Sequence, residues 1–406
     1  MIIILLAITV SMAEASWRLV PIGSVSNNGS PHDVFVSGGY AYLGDWDVGL
    51  SIINVVDPYN PERVSLYNTD GLANSTFMVG NTIFEADWSR GINIFDVSTP
   101  LTPIRLSNWE SPGTAYNLYP MGNYLYMADF NRGLQILDIT SLIYPVAIGS
   151  YLTGGFACGV WGSGNNVYVA SSASGLVTFD VTNPDSAFIT DSYHTGAIAF
   201  NITGNNGYLY LSNGLGGVMI FSIQSDPSHP SLVGTLHTPG FANDAAVSDT
   251  FIYVADETAG VVVGSISDPS TPYIIDTFDS PGIAKGLFAA HPYVYVGDND
   301  SFIILLFTDA SGIDDELTPI AFELRGSYPN PFNAACNVEF SLFEGGHVSL
   351  DIYNLCGQKI GNLADSYFGA GDHSISWDAS DSPSGVYFVK LTSAGQSRTI
   401  KATLLK

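Results

Sequence analysis

Six glycines, Gly49, Gly91, Gly133, Gly175, Gly217 and Gly260, open six apolar runs at intervals of 42 residues four times and then 43. The residue that closes the preceding run recurs in step, as Asp45, Asp87, Asp129, Ser171, Asn213, Asp256 and Asp298, which makes seven copies. A period of roughly 40–45 residues is that of a propeller blade. One such unit cannot bury both its faces and must stack on its neighbours. Within the first copy, "DVFVSG", "YAYLGD", "GLSIINVV" and "ERVSLYN" are four short apolar stretches separated by turns. The alternation Tyr40-Ala41-Tyr42-Leu43 has the period of a strand. The connections carry Asp57-Pro58 with Pro61, Asp226-Pro227 with Pro230, and Asp268-Pro269 with Pro272. Proline fixes φ and removes a donor, which suits a turn and not a strand interior.

The seventh copy, "YVYVGDNDSFIILLF", stops at Phe307 without a fourth strand. At the other end, "WRLVPIGSVS" resembles the fourth strands "YPVAIGSYLT" and "HPSLVGTLHT". The expectation is a ring of seven blades over 16–307, closed by an N-terminal strand that satisfies an otherwise open edge. Forty-two Gly, 22 Tyr and 22 Phe, with 46 % apolar and only 12 % charged residues, support an all-β chain.

Residues 1–15 have the pattern of a secretory signal peptide: an apolar run from Ile2 to Val10, then Ala13-Glu14-Ala15 as a small-x-small cleavage site. That run is too short to span a bilayer, and no transmembrane segment is expected elsewhere. A formal charge of −26 argues against nucleic acid as a partner. Three cysteines, Cys158, Cys336 and Cys356, cannot form a disulfide framework; Cys336 and Cys356 could pair, and small buried side chains are the simpler reading.

After Phe307 the repeat gives way to the acidic stretch "TDASGIDDELTP", so 308–318 is read as a linker. Over 319–406, "HVSLDIYNL" and "GVYFVKL" alternate between Gly- and Pro-containing turns, which predicts a small immunoglobulin-like β-sandwich.

No G-x-S-x-G elbow, H-E-x-x-H, paired C-x-x-C or Walker A loop is present, so no catalytic residue is assigned. His194 and His237 occupy equivalent places in neighbouring copies and are read as rim residues. Two rings of positions carry the candidate sites. Asp45, Asp87, Asp129, Asp256 and Asp298 end second strands on one face and could coordinate calcium. Their recurrence in nearly every copy equally suits a turn-capping role. Twelve residues earlier stand Asp33, Ser75, Asn117, Gly159, Asn201, Asp244 and Gly286, at the entrance to each innermost strand. They are preceded by His32, Asn74, Tyr116, Cys158, Phe200, Asn243 and Lys285, all varied. Variation where the fold demands little points to a mouth that binds a carbohydrate or a peptide, centred on His32, Asp33, Tyr116, Asn117, Phe200, Asn201, Asn243, Asp244 and Lys285.

The runs "GLSIINVVDP", "GINIFDVSTP", "GLQILDITS", "GLVTFDVTNP" and "GVVVGSISDP" resemble the LVIVD repeats of bacterial extracellular propellers. The segment Tyr328-Pro329-Asn330-Pro331-Phe332-Asn333, with Ile352-Tyr353-Asn354, Gly357, Gly371, His373, Trp377-Asp378 and Ser384-Gly385-Val386-Tyr387-Phe388, resembles the C-terminal sorting domain of the type IX secretion system. The second resemblance implies the type IX machinery as a partner and passage across a Gram-negative outer membrane. It also implies removal of the sorting domain, with the remainder anchored or released. The expected function is a secreted, surface-displayed binding module. A polysaccharide-active enzyme and a purely structural surface protein are the alternatives.

Overall fold

The computed structural model describes residues 17–26, 29–309, 322–342, 345–354, 358–380, 382–393 and 396–406, with the backbone alone at 323, 325 and 396. The expected signal peptide and most of the expected linker lie outside the described residues. The chain is all-β: seven four-stranded antiparallel sheets, followed by a three-stranded and a four-stranded sheet. In the first blade the strands Pro31–Ser37, Tyr40–Asp45, Gly49–Asn54 and Glu62–Tyr67 pair in sequence order. The first strands of successive blades contact one another around the axis. Among the described residues the only helical element is the short turn Pro184–Ser186, and no helix is long and apolar enough to cross a membrane.

The seventh blade is assembled from both ends of the repeat region. Trp17–Ser26 pairs antiparallel with Ser301–Asp309, which runs two residues past the expected end at Phe307. The register identifies this pairing as the missing fourth strand. In the other six blades the third–fourth pairing slips by one residue at a bulge, as between Ile52 and Ile53 or Ile136 and Leu137. The same slip recurs between Pro21 and Gly23 of the N-terminal strand. A bulge sharpens local twist, so every blade carries it at the same radius.

The core is divided among the blade interfaces. The middle of each second strand carries one aromatic side chain, Tyr42, Phe84, Tyr126, Tyr168, Tyr210, Tyr253 or Tyr295, all 6 % exposed or less. Each inserts among aliphatic side chains of an adjoining blade, as Tyr126 does with Val160, Val167 and Val169. Burying one such ring contributes about 1.5–3 kcal/mol, so each interface is a small core of its own. The repeating glycines follow from the next strand's closeness. At Gly133 φ is 73°, and an added Cβ would lie 2.2 Å from the Tyr151 carbonyl oxygen. No side chain fits there.

At the C-terminal end, Phe322–Tyr328, Ala335–Leu342 and Gly371–Asp378 form one sheet, and Gly346–Tyr353, Lys359–Phe368, Gly385–Ser393 and Gln396–Leu404 the other. Val338 and Phe340 from the first sheet share one core with Leu350, Val389 and Leu404 from the second.

Candidate functional site

The entrance positions form a lock between blades. Asp33 Oδ2 accepts a hydrogen bond from the Thr76 amide at 2.7 Å, Asn117 Oδ1 from Val160 at 3.2 Å, and Asp244 Oδ2 from Leu287 at 3.0 Å. Each donor belongs to the first strand of the following blade. Asn201 Nδ2 donates to Asp244 Oδ1 at 2.6 Å, and Asn117 Nδ2 to Ser75 Oγ at 3.2 Å. Where the position is glycine the neighbour simply comes closer; a Cβ on Gly159 would lie 2.7 Å from the Asn201 Cα. Burial pushes the Asp33 and Asp244 carboxyls up, Asp244 to about 7, with the charge of Asp33 adding to the effect of burial at Asp244.

The preceding ring converges as the repeat suggested. His32, Asn74, Tyr116, Cys158, Phe200, Asn243 and Lys285 join Asp33, Ser75, Asn117, Asn201 and Asp244 around one small open depression. Its walls are partly set by their own contacts. His32 Nδ1 lies 3.2 Å from Asn74 Oδ1, and Asn74 Nδ2 donates to the Tyr116 carbonyl at 2.6 Å. Asn243 Nδ2 donates to the Lys285 carbonyl at 2.7 Å, while the Lys285 ammonium pairs with Glu257 at 2.9 Å. Tyr116 meets Phe200 edge to face, centroids 5.6 Å apart. Burial lowers His32 to about 4 and pushes the Cys158 thiol up to about 12, so at neutral pH the imidazole is uncharged and the thiol is not an activated nucleophile. The arrangement offers hydrogen bonds and aromatic faces.

The carboxylates that end the second strands are placed differently from a shared metal centre. Asp45, Asp87, Asp129, Asp256 and Asp298 are all fully buried. Four of them accept a hydrogen bond from the hydroxyl 18 residues earlier: Thr69 to Asp87 at 3.1 Å, Ser111 to Asp129 at 2.6 Å, Thr238 to Asp256 at 2.6 Å and Ser280 to Asp298 at 2.8 Å. Gly240 and Gly282 add amide donors to Asp256 and Asp298 at 2.6 and 2.8 Å. Asp45 accepts from Ser51 Oγ at 3.0 Å. Ser171 keeps the contact in the fourth blade, 2.8 Å from Thr153. Among the described residues no group of three or more His, Cys, Asp or Glu side chains is placed to hold a metal ion. Four of the five carboxylates thus act as separate clamps that fasten the connection from the preceding blade, because a short buried carboxylate must find donors nearby.

Sequence reasoning missed the residue immediately after each clamp: Trp46, Trp88, Phe130, Ser172, Gly214, Glu257 and Asn299. From the second to the sixth blade these residues bridge to the alanine at the entrance of the next blade, as Trp88 to Ala115 and Phe130 to Ala157, so they stand beside the mouth. The available signal was three bulky aromatics in consecutive copies at one offset.

Residues 28–69, 112–153, 154–195, 198–238 and 239–280 match the LVIVD repeat family, together just over half of the 406 residues. The chain is an LVIVD-repeat protein. The five matched segments are its first, third, fourth, fifth and sixth blades. The second differs by a Glu where the others carry an aliphatic or Met side chain, and the seventh is made from two separate stretches. Residues 327–405 of this LVIVD-repeat protein match the secretion system C-terminal sorting domain, the sorting domain of type IX secretion. No curated protein matches it in sequence.

Among solved structures, the propeller domain of Cps50 (Swd1) from Myceliophteria thermophila aligns over 71 % of this chain and 100 % of its own, with 12 % identity and a TM-score of 0.59. RRP9 WD40 repeats align over 71 % and 99 %, with 11 % identity and a TM-score of 0.58. PorZ, described as an essential bacterial surface component of the type-IX secretion system of Porphyromonas gingivalis, aligns over 94 % of this chain and 60 % of its own. Its identity is 14 % and its TM-score 0.51. These likenesses are of fold.

The sorting-domain landmarks of the LVIVD-repeat protein are parts of its sandwich. Tyr328 ends its strand, 76 % exposed, and Pro329 and Pro331 flank Asn330 in the following turn. Asn330 ties that turn to the last strand, donating to the Lys401 carbonyl and accepting from the Thr403 amide, each at 2.9 Å. Buried Phe332 packs on Trp377 with centroids 5.2 Å apart, and Trp377 meets Tyr387 edge to face at 5.3 Å. The Asn333 carbonyl accepts from Ala335, while Gly371 and Gly385 open strands. Gly357 and Cys356 lie outside the described residues; Cys158 and Cys336 are buried thiols.

Proposed function

We propose that this protein is displayed at the outer surface of a Gram-negative cell by its type IX sorting domain, and that its propeller mouth is a binding site. The observation that carries the reading is the mouth itself. Seven copies of a repeat are nearly uniform at their clamps and core aromatics, yet present His32, Asn74, Tyr116, Cys158, Phe200, Asn243 and Lys285 around one depression. A scaffold alone has no need for that divergence. The test is binding of the full chain to glycan and matrix-protein arrays, with and without a calcium chelator. Binding that the variants Tyr116→Ala and Lys285→Ala both weaken supports the reading. Binding is expected to survive chelation, because the buried carboxylates are engaged in their own connections. Array hits indifferent to both variants would place recognition elsewhere.

A further inference from the structure

We propose that Trp46, Trp88, Phe130 and Phe156 form a stacking platform beside the mouth for an uncharged glycan chain. The proposal rests on the mouth being a binding site and names the chemistry that it takes. Trp46 and Trp88 have ring centroids 4.8 Å apart, Trp88 and Phe130 6.3 Å, and Phe130 and Phe156 lie nearly parallel at 4.3 Å. His32 of the mouth stacks on Trp46 at 4.4 Å, and Tyr116 on Phe130 at 6.0 Å, so the platform continues into the depression. None of the four is buried in the core, and Phe156 is 49 % exposed.

The fold does not ask for these rings. At the offset of Trp46, Trp88 and Phe130 the remaining blades carry Ser172, Gly214, Glu257 and Asn299. From the second blade to the seventh the backbone there is left-handed, with φ 48° at Trp88, 40° at Phe130, 38° at Ser172, 53° at Gly214, 51° at Glu257 and 46° at Asn299. Gly and Asn accept that conformation readily; a bulky aromatic there is strained. The left-handed turn itself is common to six blades, so what sets these blades apart is bulky aromatic side chains kept outside the core at a position that Gly and Asn fill at less cost.

The surroundings select a neutral, hydroxyl-rich ligand. The mouth's one ammonium, Lys285, is paired with Glu257, and an overall charge of −26 repels anions. The carboxylates of Asp33 and Asp244 already accept from amides of their own and the following blade. The lining also carries four side-chain amides, Asn74, Asn117, Asn201 and Asn243. Each spends one N–H on an internal acceptor and has a second to donate, and the Asn243 Oδ1 has no hydrogen-bond partner among the described residues. Amides meet hydroxyls in either sense, and flat rings cover the apolar C–H faces of a sugar. A peptide adding as a strand would need free backbone groups. Here they are spent internally: the Ala115 amide donates to the Trp88 carbonyl at 3.0 Å, and Ala157 to Phe130 at 2.9 Å.

The experiment titrates the full chain with cellohexaose, xylohexaose and mannohexaose, with hexagalacturonic acid as the charged counterpart, and follows tryptophan emission and heat. A saturable response to a neutral hexasaccharide is expected, with emission changing because Trp46 and Trp88 lie on the platform. Trp88→Asn and Phe130→Asn install the residue that the seventh blade carries, and each should weaken binding about tenfold, as loss of an aromatic anchor does. Ser172→Ala should leave it unchanged, and unfolding midpoints of all three variants confirm folding. Binding undiminished in both aromatic variants, or tighter binding of hexagalacturonic acid, would overturn the proposal. Silence toward every neutral hexasaccharide, with a protein hit on the arrays that Lys285→Ala abolishes, would refute the glycan and leave the mouth reading standing. Silence toward glycans and arrays alike would refute both.

Discussion

Asp298 accepts hydrogen bonds from both the Ser280 hydroxyl and the Gly282 amide while fully buried, so its removal leaves two donors without a partner. Asp298→Ala should cost about 1–3 kcal/mol in urea unfolding, the price of an orphaned buried polar group. The same burial sets a pH dependence. Asp87, Asp129 and Asp298 are pushed up to about 6 from an ordinary 3.8, chiefly by desolvation. Between those values the folded chain holds protons that the unfolded chain has released, so stability rises as pH falls from 7 toward 4. His32, lowered from 6.5 to about 4 by burial, opposes this between those values as one group against three. Asp96, Asp138, Asp180 and Asp268, held low by hydrogen bonds from the residue two positions on, oppose it only below 3.8. The urea midpoint should be higher at pH 5 than at pH 7.5; the reverse order would mean that the clamps do not govern it. Glu85 is a separate case. Its Oε2 accepts from Asn93 at 3.0 Å, its Oε1 has no hydrogen-bond partner among the described residues, and burial holds its carboxyl well above the usual range. Glu85→Leu gives the second blade the aliphatic side chain that the first and fifth carry as Leu43 and Leu211, and should stabilise by about 1 kcal/mol.

At the scale of the strand, the third–fourth bulge and the left-handed glycines make each blade close in the same way. Gly133→Ala would drive a Cβ against the Tyr151 carbonyl in a left-handed backbone, and about 1–3 kcal/mol of destabilisation is expected in thermal unfolding. The N-terminal strand completes the seventh blade from the other end of the repeat region. Deleting 17–26 leaves the Ser301–Asp309 edge unpaired and uncovers Phe307, Ile304 and Leu306. The truncated protein should elute as aggregate or oligomer in size-exclusion chromatography, since a long apolar edge seeks another strand. Strand alternation and the Asp-Pro turns were legible along the chain. The bulges were not, because a register slip depends on which two strands meet.

Across the whole molecule, two different modules share one chain: a ring with its core cut into blade interfaces, and a sandwich with a single core. On the proposed display, removing 322–406 should keep the propeller from the cell surface, measured by fractionation and surface proteolysis, because 327–405 match a secretion system sorting domain. Surface exposure of the truncated protein would show that another segment directs it.

The amino-acid sequence by itself determined the number of blades, their closure by the N-terminal strand, and the C-terminal module. All of these are carried by periodicity and by ordered landmarks such as Tyr328 to Asn333. It also placed His32 to Lys285 around one mouth, since a fixed period brings equal offsets to equal heights on the axis. The tertiary structure alone decided what the two rings of polar residues do. Four of the five Asp side chains turn into the connections, where each accepts from a hydroxyl 18 residues back, on the connection from the preceding blade. The next residue stands beside the mouth, where Trp46, Trp88 and Phe130 meet across blades. One position along a turn separates a buried clamp from an open aromatic face, and only the path of the folded backbone distinguishes them.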